Sequence, residues 1–306
     1  MNYELAIIGA GPAGYSAAIY AARAGVKALL LDKGLGGGLA AISPNIENYL
    51  GFESISGMDL VEKMKKHASK YSEMNFGEEV EDIKKQKNGF KIKTDKQEYN
   101  VKAVLLCTGT EYRKLGAPGE KELQGKGVSY CATCDGFFFK NKTVAVVGGG
   151  NSALIESIYL KQIGCKEVYV IHRRDQLRAE KSYQDEANNK GVKIIFNTHV
   201  ESINGKDKVD FLELHDVNTD KKSKLTVDGV FISIGEIPQN NLAQKLGIKL
   251  DKGGFVIVDK QGRTNVKGVY AAGDITGGLR QVVTAAAEGA IAALASTESV
   301  GKKYPY

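Results

Sequence analysis

Two glycine-rich segments of one kind constrain the fold of this chain of 306 residues more than any other feature. Residues 9–14 have the pattern G-x-G-x-x-G, and residues 148–153 have the pattern G-x-G-x-x-A. Each segment follows an apolar run typical of a buried strand and precedes a run typical of a helix. In this context the pattern indicates a dinucleotide-binding βαβ unit. The sequence therefore predicts an α/β protein with two Rossmann-like (three-layer ββα) dinucleotide-binding domains.

The first glycine segment is followed by an acid in the position that a nucleotide site requires. Asp32 ends the strand predicted for residues 27–31, where a carboxylate accepts hydrogen bonds from ribose hydroxyl groups. The glycines let the backbone approach a pyrophosphate, and the helix N-terminus offers it unpaired N–H groups. An ordinary glycine turn between a strand and a helix is the alternative. The expected nucleotide site consists of Gly9, Gly11, Pro12, Ala13, Gly14 and Asp32.

The second glycine segment is followed by basic residues instead of an acid. The strand predicted for residues 167–171 runs into His172-Arg173-Arg174, and Arg178 follows. An acid here suits a free 2′-hydroxyl, whereas arginine binds the oxygens of a 2′-phosphate in pairs. A solvated basic surface is the alternative, but it does not explain why three arginines lie at this one position. We therefore expect NADPH rather than NADH, bound by Gly148, Gly150, Asn151, Ser152, Ala153, His172, Arg173, Arg174 and Arg178.

A C-x-x-C pair, Cys131 and Cys134, lies between the two glycine segments. This spacing brings two sulfurs within disulfide reach and lowers the pKa of one thiol, which makes it a good nucleophile. Half of a zinc site and two buried structural cysteines are the alternatives. Zinc needs a second pair or suitably spaced histidines, whereas Cys107 and Cys165 are isolated in the sequence. We expect a redox-active dithiol, no metal site, and buried apolar roles for Cys107 and Cys165.

The repeated pattern predicts an internal duplication in which the second unit is inserted into the first. Before the second unit, the pattern predicts an amphipathic helix over residues 58–70, a hairpin over residues 80–99 and a strand over residues 101–107. After the second unit, it predicts a strand over residues 268–272 and an alanine-rich helix over residues 282–295. Breaker residues at 116–119 and 235–238 mark the joints. We expect a first domain of residues 1–112 plus 238–306 and a second domain of residues 113–237. Two chain crossings suit a hinge between rigid bodies.

Composition limits the function classes. Hydrophobic residues make up 42% and charged residues 25% of the chain, as in soluble globular proteins. The net charge of +6 is spread along the chain and indicates a solvated surface more than an acidic partner, and no basic-aromatic run suggests nucleic acid. Residues 5–22 lack charge but contain the first glycine segment, so we expect no membrane span. With no export signal, we expect a cytoplasmic protein.

The cysteine segment and its surroundings resemble a known family. Residues 129–136 read S-Y-C-A-T-C-D-G, followed by G-G-G-N-S-A and H-R-R-D-x-x-R-A. Together with residues 47–52 and Arg280-Gln281-Val282, this order is similar to the low-molecular-weight thioredoxin reductases over essentially the whole chain. Residues 269–274, V-Y-A-A-G-D, resemble the second FAD element of flavoprotein disulfide reductases.

The resemblance implies FAD at the first site, NADPH at the second, and a homodimer that reduces thioredoxin. It implies that Cys134 lies nearer the flavin, that Cys131 attacks the thioredoxin disulfide, and that Asp135 protonates the leaving thiolate. The implied FAD contacts extend the first site by Gly37, Gly38, Asn48, Thr108, Gly109, Gly273, Asp274, Arg280, Gln281 and Val282.

Several positions depart from the family pattern. Leu39 replaces a glutamine that contacts FAD, Ile155 replaces a glutamate, and Glu236 replaces a histidine. These changes bear on flavin potential and donor preference. Two alternatives therefore stay open. One is a flavin disulfide reductase with another protein acceptor or a donor other than NADPH. The other is a flavin-bound redox sensor in which the dithiol is a switch.

Overall fold

A computed structural model describes residues 3–304 and divides the chain into two compact units. The first unit takes in the described residues up to Glu111 and those from Ile237 onward. The second unit is Tyr112–Glu236. None of the helices within residues 3–304 has the length and apolar character that a membrane crossing requires.

The strands, in chain order, are β1 Leu5–Ile8, β2 Ala28–Asp32, β3 Glu73–Phe76, β4 Val80–Gln86, β5 Gly89–Thr94, β6 Glu98–Val101, β7 Ala103–Leu106, β8 Thr110–Tyr112, β9 Val128–Ser129, β10 Thr143–Val147, β11 Glu167–Ile171, β12 Lys193–Ile195, β13 Thr198–Asn204, β14 Phe211–Asp216, β15 Lys222–Thr226, β16 Gly229–Ile232, β17 Glu236–Pro238 and β18 Val269–Ala271. The α-helices are α1 Pro12–Arg23, α2 Gly57–Ala68, α3 Ala132–Asp135, α4 Asn151–Gln162, α5 Lys181–Asn189, α6 Asn241–Lys245 and α7 Val282–Ala295. Short 3₁₀ helices span Gly38–Ile42, Gly136–Phe139, Asp274–Thr276 and Ser296–Val300. Strands β8 and β17 form a two-stranded sheet.

The first unit is built around a parallel sheet with strand order β18-β7-β1-β2-β3. Successive side chains of a strand point to opposite faces, so β1 contributes to two cores. Leu5 and Ile7 pack in a cluster with the alanines of α1 and α7. Ala6 and Ile8 pack in a second cluster with the antiparallel sheet β4-β5-β6. Helices, parallel sheet and antiparallel sheet thus form three layers.

The second unit repeats this architecture. Its parallel sheet has the order β12-β11-β10-β16-β9. Val144 and Val146 of β10 pack in the cluster that includes α4 and α5. Ala145 and Val147 pack in the cluster that includes the antiparallel sheet β13-β14-β15. Two three-layer ββα units are present, and the predicted fold class is confirmed.

The elements differ from the predicted ones where the chain changes sheets. The strand predicted for residues 101–107 is interrupted, because Val101 pairs with Phe90 of β5 whereas Ala103 pairs with Leu5 of β1. Lys102 lies between them, and its N–H donates to the carbonyl of Glu4. The predicted hairpin gains β6 as a third strand. The sheet β13-β14-β15 was not predicted, since its charged, mixed pattern carries a weak strand signal.

Candidate active site

The first glycine turn leaves an open backbone cradle at the N-terminus of α1. Gly9 has φ +106°, and a Cβ there would lie 2.2 Å from the carbonyl oxygen of Cys107. A Cβ on Gly14 would lie 1.9 Å from the carbonyl oxygen of Gly9. A Cβ on Gly11 would meet nothing within 4 Å, and Gly11 caps α1 without a side-chain hydrogen bond. The turn therefore exposes N–H groups of the kind that bind a pyrophosphate.

Asp32 holds the same turn. Its Oδ2 accepts a hydrogen bond from Ala10 N at 2.7 Å, and its Oδ1 accepts one from Gly34 N at 2.8 Å. A carboxylate oxygen has two lone pairs, so each oxygen keeps capacity for a ribose hydroxyl. Asp32 thus shapes the glycine turn.

Loops far apart in the sequence converge within the first unit. Gly37 N donates to Ala10 O at 2.6 Å, which places residues 37 and 38 beside the glycine turn. Asn48 Nδ2 donates to Gln281 Oε1 at 2.9 Å. Thr108, which precedes Gly109, donates its hydroxyl to the carbonyl of Gln239 at 2.7 Å. Gln281 caps α7, whose first residue is Val282.

The segment Gly273-Asp274 also lies at the first glycine turn. Gly273 has φ +81°, and a Cβ there would lie 2.9 Å from the Cβ of Ala13. The N–H of Gly273 donates to Glu288 Oε2 at 2.8 Å. Glu288 was not predicted as a site residue, because an acid on an alanine-rich helix has no motif around it. Burial raises the pKa of Glu288, and its hydrogen bonds with Gly273 and Thr276 oppose that rise.

The second glycine turn has the same form as the first. A Cβ on Gly148 would lie 2.3 Å from the carbonyl oxygen of Ser233, and a Cβ on Gly150 would meet nothing within 4 Å. Gly150 caps α4 without a side-chain hydrogen bond, and Asn151, Ser152 and Ala153 form the first turn of that helix. This cradle also fits a pyrophosphate.

Two residues at the second turn are engaged within the protein. His172 is buried, its ring leaves no room for a Cβ on Gly149, and its Nε2 lies 3.0 Å from Gln176 O. Burial lowers the pKa of His172, which favours the neutral ring. Asn151 pairs with Glu180 twice, donating from Nδ2 at 2.9 Å and accepting at Oδ1 at 2.8 Å. Both side chains hold the turn in shape.

The three arginines of the second site lie at the surface. Arg173, Arg174 and Arg178 are exposed. None of the three forms a salt bridge with a side chain of residues 3–304. The backbone N–H of Arg178 donates to Gly149 O at 2.7 Å, which ties the basic segment to the glycine turn. Three exposed guanidinium groups beside a pyrophosphate cradle suit a 2′-phosphate.

Cys131 and Cys134 form a disulfide in the second unit. Cys131 caps the four-residue helix α3, and its Sγ lies 3.2 Å from the N–H of Cys134. Cys107 and Cys165 are free and buried, as expected. Burial raises the pKa of both thiols, that of Cys165 to about 11. Among the described residues no cluster of His, Cys, Asp or Glu could hold a metal ion.

Asp135 ends α3 directly after Cys134. Its Oδ2 accepts a hydrogen bond from the Ser129 hydroxyl at 2.6 Å, while Oδ1 is buried without a hydrogen-bond partner among residues 3–304. Burial raises the pKa of Asp135, and the bond from Ser129 opposes the rise. A carboxyl group with a raised pKa keeps its proton to a higher pH than an ordinary aspartate, which suits a general acid. Two dinucleotide cradles, a disulfide and a neighbouring acid define a nucleotide-dependent disulfide oxidoreductase.

Comparisons with known proteins agree with this class. The model of the pyridine nucleotide-disulphide oxidoreductase family matches residues 3–289. The thioredoxin reductase of Bacillus subtilis is 45% identical over 297 residues, which cover 95% of this chain and 92% of that protein. The thioredoxin reductase of Treponema pallidum is 41% identical, with 98% of this chain and 97% of that protein covered. The crystal structure of thioredoxin reductase from Streptococcus pyogenes superposes with a TM-score of 0.93 at 40% identity, covering 98% of each chain. The chain belongs to the pyridine nucleotide-disulphide oxidoreductase family, among the thioredoxin reductases.

Proposed function

We propose that this protein is an NADPH-dependent thioredoxin-disulfide reductase that uses FAD and the Cys131–Cys134 dithiol. The observation that carries the proposal is the disulfide itself, which lies beside a half-buried acid in a unit that also holds a dinucleotide cradle. Relatives over 40% identical along nearly the whole chain are named thioredoxin reductases.

We assign FAD to the domain of residues 1–112 plus 238–306 and NADPH to the domain of residues 113–237. The open cradle at Gly11, the carboxylate of Asp32 and the turn at Asp274 would hold FAD. The open cradle at Gly150 and the arginines after β11 would hold NADPH. The chemistry that bound FAD would supply is electron transfer, with a hydride accepted from NADPH and two electrons passed to a disulfide.

The two cysteines and Asp135 carry the thiol chemistry. The Cys131 thiolate forms a bond to one thioredoxin sulfur while the thioredoxin S–S bond breaks, and the leaving sulfur takes a proton from Asp135. Cys134 then gives its proton to Asp135 and attacks Cys131 Sγ. The bond between Cys131 and the thioredoxin sulfur breaks, the internal disulfide re-forms, and the thioredoxin sulfur leaves as a thiolate that takes a proton from solvent. The N–H of Cys134 at Cys131 Sγ stabilises negative charge on that sulfur.

The remaining assignments rest on the sequence resemblance. We propose a homodimer in the cytoplasm, with thioredoxin as the protein partner and with neither nucleic acid nor membrane as a partner. The two free buried thiols suit a reducing compartment.

The test is a disulfide-reduction assay with purified FAD-loaded protein. Insulin reduction reports activity that passes through thioredoxin, and DTNB reduction reports direct disulfide reduction. Each assay is run with NADPH and with NADH as the donor, and with several thioredoxins as acceptors. We expect steady NADPH oxidation that requires a thioredoxin. Activity only with another acceptor or another donor would favour the related reductase. Flavin reduction without any turnover would favour the redox sensor.

A further inference from the structure

The geometry points to Ser129 as a positioning residue that decides which oxygen of Asp135 carries the transferable proton. This inference rests on the proposed function, because it concerns the acid of the same thiol chemistry. Ser129 ends β9, where it is buried and pairs with Phe231 of β16 in the parallel sheet. The hydroxyl group is therefore anchored in the sheet.

The hydrogen bonds around Ser129 fix which group the serine hydroxyl donates to. Its Oγ lies 2.6 Å from Asp135 Oδ2, 3.1 Å from the N–H of Cys131 and 3.4 Å from the carbonyl oxygen of Cys131. The N–H of Cys131 can only donate, so Ser129 accepts that bond and has one hydrogen left. Donating it to Oδ2 uses the short contact, whereas donating it to the carbonyl uses the longest one. The chain of donors therefore runs from Cys131 N through Ser129 to Asp135.

This direction leaves Oδ1 as the oxygen that is protonated. Oδ2 receives the serine hydrogen, and Oδ1 is buried without a hydrogen-bond partner among residues 3–304. A proton on Oδ1 makes no hydrogen bond within residues 3–304, so the carboxyl group alone holds it. The same serine accepts from the backbone of Cys131, which ties the orientation of the acid to the thiol that attacks the substrate.

Burial raises the pKa of Asp135, and the hydrogen bond from Ser129 opposes that rise. On its own helix the redox-active neighbours are Cys134 and the N-cap residue Cys131, whose sulfurs are joined in a disulfide. From α4, the ring of Tyr159 and the apolar Leu160 lie beside Gly136, as does Ile163 directly after the helix. Glu156 is the carboxylate on the same face of α4, one turn earlier.

Ser129→Ala separates this role from a merely structural one. The variant loses the bond that stabilises the carboxylate, so the alkaline limb of the pH profile for disulfide reduction moves up by about one pH unit. We expect the rate of thioredoxin reduction to fall about tenfold at neutral pH, since the proton is no longer confined to Oδ1. Flavin reduction by NADPH in a stopped-flow experiment should be unchanged, because that step involves no sulfur.

Two further variants serve as controls. Ser129→Thr keeps the hydroxyl and should restore both the rate and the pH limb. Ser157→Ala removes another buried hydroxyl of the same unit, one that donates to Leu154 O within α4, and should behave as the wild type. A Ser129→Ala profile that equals that of Ser157→Ala would overturn the inference. Slower flavin reduction by NADPH in Ser129→Ala would also overturn it, since the effect would then be on the fold.

The proposed function and this inference fail in different ways. If the wild type reduces DTNB but no thioredoxin, the proposed acceptor is wrong. The alkaline limbs of the wild type and Ser129→Ala are then compared with DTNB as the acceptor. If the wild type reduces neither, both are wrong. If the wild type reduces thioredoxin and Ser129→Ala keeps its rate and pH limb, only the role of Ser129 is wrong.

Discussion

Glu288 Oε2 accepts a hydrogen bond from the backbone N–H of Gly273 at 2.8 Å, and it lies 3.2 Å from Thr276 Oγ1. Gly273 adopts φ +81° directly before Asp274, the acid assigned to FAD. A carboxylate on α7 thus holds the turn that presents Asp274. The turn is further packed against Ala13 of the first glycine segment, so its position affects the whole cradle.

We expect Glu288→Ala to raise the FAD dissociation constant about tenfold, because a hydrogen bond to a charged acceptor contributes about 1.5–3 kcal/mol. Glu288→Gln keeps an acceptor oxygen and should weaken binding less. Flavin fluorescence during dilution of the loaded protein measures the release. Ala287→Ser, at an exposed position of the same helix, is the control. FAD affinity unchanged in Glu288→Ala would show that the turn keeps its shape without the carboxylate.

Local sequence was sufficient where the backbone itself makes the site. Gly9 and Gly14 are required because a Cβ at either position would overlap a carbonyl oxygen. This requirement is visible in the sequence as glycines at a fixed spacing. The same holds for the cysteine pair, whose spacing alone allows the disulfide. These features lie within a few residues of one another, so no knowledge of tertiary packing was needed.

The supporting side chains could not be predicted, since their partners come from other elements. Glu288 meets Gly273 because α7 packs against the sheet, and Ser129 meets Asp135 because β9 ends beside α3. His172 is buried against Gly149, and this packing has no signal in the local sequence. Its contact with the nucleotide stays a prediction. A serine or an acid in isolation carries no signal for such contacts, which depend on how the layers pack.

The two arginines that follow β11 should determine the choice of donor. We expect the double variant Arg173→Ala/Arg174→Ala to raise the Michaelis constant for NADPH about tenfold or more. Each charge-assisted phosphate contact contributes about 1.5–3 kcal/mol. NADH, which lacks the 2′-phosphate, should be affected little. Steady-state kinetics with both donors measures the ratio. An unchanged preference for NADPH over NADH would mean that these exposed groups are surface charge.

The buried imidazole of His172 predicts a pH dependence of stability. Burial lowers its pKa in the folded state, so the unfolded chain binds more protons at pH values below the usual imidazole pKa of about 6.5. Stability therefore increases with pH across this window and is lost as the pH falls through it. We expect the free energy of unfolding, measured with denaturant, to fall less between neutral and acidic pH in His172→Gln than in the wild type. His67→Gln, at an exposed histidine of α2, should keep the wild-type slope, and equal slopes in all three proteins would contradict the prediction.

The roles of the two thiols can be separated by single substitutions. Either Cys131→Ser or Cys134→Ser should abolish thioredoxin reduction, because one thiol cannot form the internal disulfide. Flavin reduction by NADPH should survive in both, since hydride transfer involves no sulfur. Cys134→Ser leaves Cys131 free to attack, so it should form a stable mixed disulfide with thioredoxin, visible by mass spectrometry. Cys131→Ser retains only the thiol assigned to the flavin side and should trap little thioredoxin. Trapping on Cys134 with none on Cys131 would reverse the two roles, and full activity in either variant would contradict the dithiol mechanism.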